Sequence, residues 1–221
     1  MFTVTNHQIR ISGDGMGYLV TRETFHDFHL VVEWRWGRTN PQPERIGKAR
    51  DSGIFVHVTG PDGNSHDGAG AFRAGLEYNL MEGGTGDLLL IRGDAADGSV
   101  IVPAVVAETA AEADPDGWFN WQPGGMNCRI QRWGRINRMG KSARWTDTAG
   151  FVCPSGLERP AGAWNTSEIV AVGDRMEFRL NGRVVNRFSQ VHPAAGAILL
   201  QCEGSEIFFR RVRLRPASAM P

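Results

Sequence analysis

The sequence predicts an all-β sandwich formed by one domain spanning residues 1–221. Three features point there. Short segments alternate apolar and polar residues with a period of two, Gly, Pro, Asn and Asp break the chain between them, and no segment sustains a helical period. The 28 glycines are scattered and do not recur at a fixed interval, which suits many tight turns and argues against collagen or a solenoid.

The clearest strand is 28–36, FHLVVEWRW, with Leu30, Val32, Trp34 and Trp36 on one face and Val31, Glu33 and Arg35 on the other. The run 53–58, GIFVHV, groups Ile54, Val56 and Val58 against Phe55 and His57. In 75–81, GLEYNLM, Leu76, Tyr78 and Leu80 oppose Glu77, Asn79 and Met81. At 175–188, RMEFRL and RVVNRF flank Asn181-Gly182, a pair that accepts the positive φ angles of a type I′ turn, so a β-hairpin is predicted. Further strands are expected at 7–11, 17–20, 87–91, 127–133, 166–172, 196–203 and 206–214. The Ala-rich stretch 104–113, followed by Asp114-Pro115-Asp116-Gly117, is expected to leave the sheet as an excursion or helical turn. The long connections 37–51 and 59–73, and the poorly alternating 134–163, are the segments where a rigid sandwich would carry function.

Composition excludes several classes. Lys and Arg number 24 against 24 Asp and Glu, so no net field attracts a phosphate backbone. No apolar run approaches the roughly 20 residues that span a bilayer. Cys128, Cys153 and Cys202 are odd in number and lack metal-ligand spacing, which argues against a disulfide scaffold or Cys-rich zinc site. The first residues lack a signal-peptide pattern; the compartment is periplasmic or secreted if a signal sequence was removed, and otherwise cytoplasmic.

Three segments together resemble the 3-keto-disaccharide hydrolase family. They are Gly17-Tyr-Leu-Val-Thr with Asp27-Phe-His-Leu, Glu33-Trp-Arg35 and Asp51-Ser-Gly-Ile-Phe; Leu76-Glu77-Tyr78-Asn79 with Glu82-Gly-Gly-Thr-Gly-Asp87; and Ala163-Trp-Asn165 with Leu180-Asn-Gly182, Leu200-Gln201 and Phe209-Arg210. The resemblance covers almost the whole chain and implies the concanavalin-like jelly-roll β-sandwich shared with laminarinases. Such proteins commonly carry a further apolar segment before the first matched strand, so an additional N-terminal segment is expected to be missing. It also implies a carbohydrate substrate, a 3-keto-glucoside made by a separate dehydrogenase. A C3 ketone acidifies the C2 proton, so a base forms an enediolate, the C1 substituent leaves by β-elimination, and water then adds. That route needs a base, a stabiliser of the enolate oxygen and an acid for the leaving group.

Strand parity selects the candidates, since site residues must lie opposite the apolar face. Glu77 is the leading acid/base, because a carboxylate between Leu76, Tyr78 and Leu80 is either solvated or buried with its pKa raised. His57 is a second catalytic candidate, as a base or as a donor to the enediolate, against the plainer reading of a polar surface residue. In GAILLQCE, Gln201 and Glu203 lie opposite Ile198, Leu200 and Cys202, which makes Glu203 a catalytic and Gln201 a substrate-binding candidate. Asn79 joins them for binding. Arg35 either stabilises the enolate or pairs with Glu33. Trp145, in a region of poor alternation, is the expected sugar platform, whereas Trp34 and Trp164 are expected to be structural. The six strand candidates are expected to share an open cleft. No cofactor is called for. A divalent metal is compatible with His57, His66 and Glu77 without being required by their spacing, and Asp62, Asn64 and Asp67 lack the full calcium-loop pattern.

Two rival functions remain at this stage. Glu77-Tyr-Asn-Leu-Met-Glu82 resembles the Glu-x-Asp-x-x-Glu strand of laminarinase-type retaining glycosidases, with Asn79 in place of the central Asp. Positions 77 and 82 have opposite parity, so a bulge would have to bring the two carboxylates within about 5–5.5 Å. A non-catalytic sugar-binding module would use the same cleft without a poised base. The absence of net charge gives a direct expectation: titration with duplex DNA at physiological salt shows no micromolar binding, and a salt-steep micromolar affinity would contradict it.

Overall fold

The computed structural model describes residues 1–63, 70–131 and 134–220. In chain order the strands are β1 (Phe2–Thr5), β2 (Gln8–Ile11), β3 (Met16–Val20), β4 (Phe28–Trp36), β5 (Gly53–Thr59), β6 (Ala74–Asn79), β7 (Leu88–Ile91), β8 (Gly93–Asp94) and β9 (Val100–Ile101). They continue as β10 (Ala104–Ala113), β11 (Phe119–Trp121), β12 (Met126–Gln131), β13 (Arg135–Asn137), β14 (Asn165–Val172), β15 (Arg175–Leu180), β16 (Arg183–His192), β17 (Ala197–Glu203) and β18 (Ile207–Pro216). A short 3₁₀ turn occupies Pro43–Arg45.

The result is a jelly-roll-like sandwich. The first sheet runs β1-β2-β18-β4-β14-β15-β16 and the second β10-β11-β13-β7-β6-β5-β17-β3, with β12 added to β10. The hydrogen-bonded path never breaks, because β16 pairs with β15 on one side and with β10 on the other. Its pairs are antiparallel except β11 with β13. Alternation explains the core: Leu30, Val32, Trp34 and Trp36 of β4 face Ile54 and Val56 of β5, Leu76 and Tyr78 of β6, and Leu200 of β17 within one cluster. Trp34 is fully buried and donates its indole N–H to Ser167 Oγ at 2.8 Å. The cysteines are all free.

Residues 104–113 depart from the expectation. They form the ten-residue strand β10, with Val105 and Ala107 in the core. Pairing to both β12 and β16 outweighs the low β preference of alanine at the seam between the sheets.

The hairpin forms as the dipeptide requires, with φ +49° at Asn181 and +80° at Gly182. Asn181 also ties the turn to its surroundings. Its Oδ1 accepts the Thr166 N–H at 2.9 Å, and its Nδ2 donates to Leu157 O and Asn165 Oδ1, both at 2.8 Å. Asn181→Gly keeps the turn geometry and loses those bonds, so urea unfolding is expected to show a loss of about 1–3 kcal/mol. Asn181→Pro, which forbids the positive φ and removes an N–H, is expected to cost more. Equal stability of both variants with the parent would contradict this account.

Candidate active site

The site is built on the outer face of the second sheet. Cross-strand register places Glu77 of β6 between Phe55 of β5 and Leu89 of β7, and Leu89 in turn opposite Arg135 of β13. Phe55 is itself paired with Leu199 of β17, and Leu199 with Val20 of β3. Phe55 and Leu199, with Val58, Phe72, Ile91 and Ala197, form a second apolar cluster on this face, against which Leu89 packs. Glu77 is therefore a carboxyl flanked by apolar side chains, and it is 3% exposed. The open cleft expected from alternation is not what surrounds it.

Gly53 of β5 makes room for the polar groups. A Cβ there would lie 2.6 Å from Glu77 Oε1 and 2.8 Å from Gln201 Oε1, so the two side chains meet over a residue that has none. Asn79 is the cross-strand partner of Gly53. Gln201 and Asn79 are buried, and Gln201 Oε1 and Asn79 Oδ1 have no hydrogen-bond partner. Buried polar atoms without partners are uncommon and mark places where a ligand or water completes the bonding.

Three carboxyls interact here. Burial, then the nearby charges of Glu203 and Asp51, push the Glu77 carboxyl well above the ordinary range, against a smaller opposing pull from Arg135. Burial and the Asp51 charge raise Glu203 to about 8, although Arg45 Nη2 approaches it at 3.7 Å. Asp51 pairs with Arg45, yet burial lifts it to about 6 against the charges of Arg45 and Arg135. Arg45 thus bridges Asp51 and Glu203.

Cations stand on the opposite flank. Asp87 is fully buried, pairs with Arg135, and takes Lys141 Nζ at 2.7 Å and the Arg138 backbone N–H at 2.7 Å. Although burial alone would raise it, the surrounding charges of Lys141 and Arg135 hold the Asp87 carboxyl below its ordinary range. Lys141 also lies 4.9 Å from the Trp145 ring centroid, and Trp145 Nε1 donates to Glu82 O at 2.9 Å. Trp145 is a half-buried side chain joined to the site through Lys141, Asp87 and Arg135.

The structure brings Glu77, Asn79, Gln201 and Glu203 together and separates two other candidates from them. His57 has φ +51° and sits where the pairing of β5 with both β6 and β17 slips. The bulge reverses parity, so Val58 joins Phe55 on the outer face while His57 turns to Phe28, ring centroids 5.8 Å apart, and places Nδ1 2.7 Å from Pro193 O. Burial depresses its pKa, and its ring lies away from the face that carries Glu77. Arg35 belongs to β4 of the first sheet, where it is paired with Phe208 of β18, so its outward face is the far side of the sandwich. It does not bind Glu33, whose carboxylate is held by Arg210 and Arg211.

Asp62 carries the Tyr18 hydroxyl at 2.5 Å and the Arg73 guanidinium at 2.6 Å. Asn64, His66 and Asp67 lie outside the described residues. Among the described residues, no three His, Cys, Asp or Glu side chains gather as a metal site. Sequence parity did not identify Asp51, Arg45, Arg135, Lys141 or Asp87. Asp51 and Asp87 did stand in the matched segments, which was the available signal.

A family model described as 3-keto-alpha-glucoside-1,2-lyase-like domain matches residues 3–215. The chain belongs to that family. No curated protein matches. Among solved structures, a Parabacteroides distasonis protein provisionally assigned as a glycosyl hydrolase superposes with a TM-score of 0.53 at 16% identity, covering 98% of this chain and 83% of its own. The carbohydrate-binding module CBM66 from Bacillus subtilis gives 0.51 at 10% identity, covering 97% and 91%. A Bacillus subtilis protein of unknown function with a galectin-like fold gives 0.50 at 9%, covering 99% and 88%. At these identities the likeness establishes the fold.

The raised carboxyls have a consequence for stability. Between the unfolded value of 4.5 and the folded value of about 8, the native state keeps a proton on Glu203 that the unfolded chain has released. The resulting stabilisation is complete below the unfolded value and is lost as pH rises towards about 8. Melting temperature is therefore expected to fall from pH 5 to pH 8, and Glu203→Gln to flatten that fall and melt above the parent at pH 8. A variant with the parent's pH slope would show that Glu203 is not a proton-holding group.

Proposed function

We propose that this enzyme cleaves 3-keto-glycosides by β-elimination at the face that carries Glu77 and Glu203. The observation that carries the reading is a pair of carboxyls with raised pKa beside the partnerless Gln201 and Asn79 oxygens, flanked by Arg45 on one side and Arg135 on the other. Two carboxyls in unequal surroundings divide acid and base work. The ionised fraction of Glu203, which Arg45 favours and which grows as pH rises towards about 8, takes the C2 proton. The C–H electron pair forms the C2–C3 double bond, and charge moves to the C3 oxygen. Arg135, oriented by Asp87, stabilises that enolate oxygen. Collapse of the enolate restores the ketone, forms the C1–C2 double bond and expels the C1 oxygen, to which Glu77 gives its proton. Addition of water across C1–C2 completes hydrolysis. The ketone comes from a separate dehydrogenase that oxidises the C3 hydroxyl.

The retaining-glycosidase alternative loses its second carboxylate. Glu82 lies beyond the end of β6, where Arg50 Nη1 binds it at 2.7 Å and the Gly150 N–H at 3.1 Å. A carboxylate so occupied is poorly suited to act as an acid or base on a glycosidic bond.

Turnover of a 3-keto-glucoside and of its unoxidised parent tests the reaction. The keto-sugar is expected to be cleaved, with Glu77→Gln and Glu203→Gln each lowering kcat/KM by about 10²–10⁴-fold while remaining folded. Cleavage of the parent alone would refute the reaction, and full activity of Glu77→Gln on the keto-sugar would refute the residue.

A further inference from the structure

Outside the site, a cavity of about 570 Å³ opens beside the far end of β4, lined by Arg35, Gly37, Arg38, Arg50, Gly162 and Phe208 among others. Its charges do not cancel locally. Arg35 is held by two aromatic faces, 4.4 Å from the Phe208 centroid and 5.1 Å from that of Trp164, and Arg210 lies over the same Trp164 ring at 3.9 Å. Stacking of this kind fixes a guanidinium without neutralising it.

Among the described residues, the carboxyls beside the cavity are engaged, Glu158 by the Trp36 indole N–H at 3.3 Å and the Gly83 N–H at 2.9 Å. Glu33 is bound by Arg210 and Arg211 at 2.7 and 2.8 Å. Glu206, which also lines the cavity, is bound by Arg10 at 2.8 Å and by the Arg38 backbone N–H at 3.0 Å. Glu82 takes Arg50. Among the described residues this leaves the guanidiniums of Arg35 and Arg38 without a counter-ion. In addition, Nε of Arg35 and Nε of Arg50 are buried with no hydrogen-bond acceptor. Stacked, uncompensated arginine around a cavity presents fixed donors in the planar arrangement that matches a carboxylate.

We infer that this cavity is a second binding site, separate from the carboxyl pair, for the carboxylate of an acidic sugar. A bare inorganic anion would leave most of the volume empty, whereas the size falls within the range of sites for small organic ligands. Phe208 supplies an aromatic surface for a ring, and nothing lies within 4 Å of the Cβ position at Gly162, so ring atoms have room to approach the backbone. The class of ligand is a uronate, free or at the end of a glycan.

Titration of the full chain with methyl glucuronide, methyl glucoside and inorganic phosphate, followed by NMR or calorimetry, tests this. The glucuronide is expected to bind with a Kd of about millimolar order and the neutral glucoside not to saturate. Arg35→Met keeps an apolar stem between Phe208 and Trp164 and is expected to weaken the glucuronide at least about tenfold. Ala161→Phe, which adds a ring to the cavity wall and keeps the Arg35 guanidinium, provides a second route to the same loss. Arg213→Met, on the same strand as Phe208 and paired with Val31, is expected to bind like the parent. No saturable glucuronide binding, or binding unchanged in both cavity variants, overturns the site. Phosphate binding as tight as that of glucuronide overturns the sugar assignment. Turnover of a 3-keto-glucoside in Arg35→Met reports on the carboxyl pair separately.

Discussion

A carboxyl held at the centre of a sheet between Phe55 and Leu89 is the constraint around which this molecule is arranged. Placing an ionised carboxylate there costs several kcal/mol, so the native state lowers the cost by keeping a proton on it. The opposite face of the same strand makes the position tolerable. Leu76 and Tyr78 anchor β6 in the inter-sheet core, and a one-residue slip that exposed Glu77 would bury neither of them. Polar chemistry on one face is thus supported by apolar packing on the other.

Charge is distributed around that carboxyl in separated groups. Asp51 and Glu203 share Arg45, while Asp87 gathers Arg135 and Lys141. Asp87 is buried but surrounded by cations and a backbone N–H, so it stays ionised and orders them. Among the described residues, Glu77 lies between these clusters without an ion pair of its own and feels only a smaller pull from Arg135. Such asymmetry lets neighbouring carboxyls hold different protonation states at one pH. The same principle, with the sign reversed, describes the outside of the first sheet, where the carboxylates are used up and Arg35 is not.

Much of the fold was legible because its signals are local. Alternation over 28–36 and 75–80 requires only that one face be buried, and Asn181-Gly182 requires only its own backbone angles. The position of Glu77, Asn79, Gln201 and Glu203 opposite the apolar residues followed from the same period of two. The resemblance of the ordered segments to a family of keto-sugar enzymes supplied the chemistry that alternation could not.

Other features depended on residues distant in the chain. Parity at His57 failed because a bulge adds one residue to β5, and no local pattern announces where pairing with β6 and β17 will slip. Arg35 has the alternation of a site residue but sits on the other sheet, and a period of two cannot say which sheet a strand joins. The 104–113 segment became β10 only because β16 and β12 offered it partners. Asp51, Arg45, Asp87 and Lys141 are in loops or turns, and Arg135 in a short strand, where spacing carries no orientation. The sequence by itself determined which side chains share a strand face, since that follows from backbone geometry. Tertiary structure decided which faces meet and which charges compensate one another, since those depend on contacts between residues far apart in the chain.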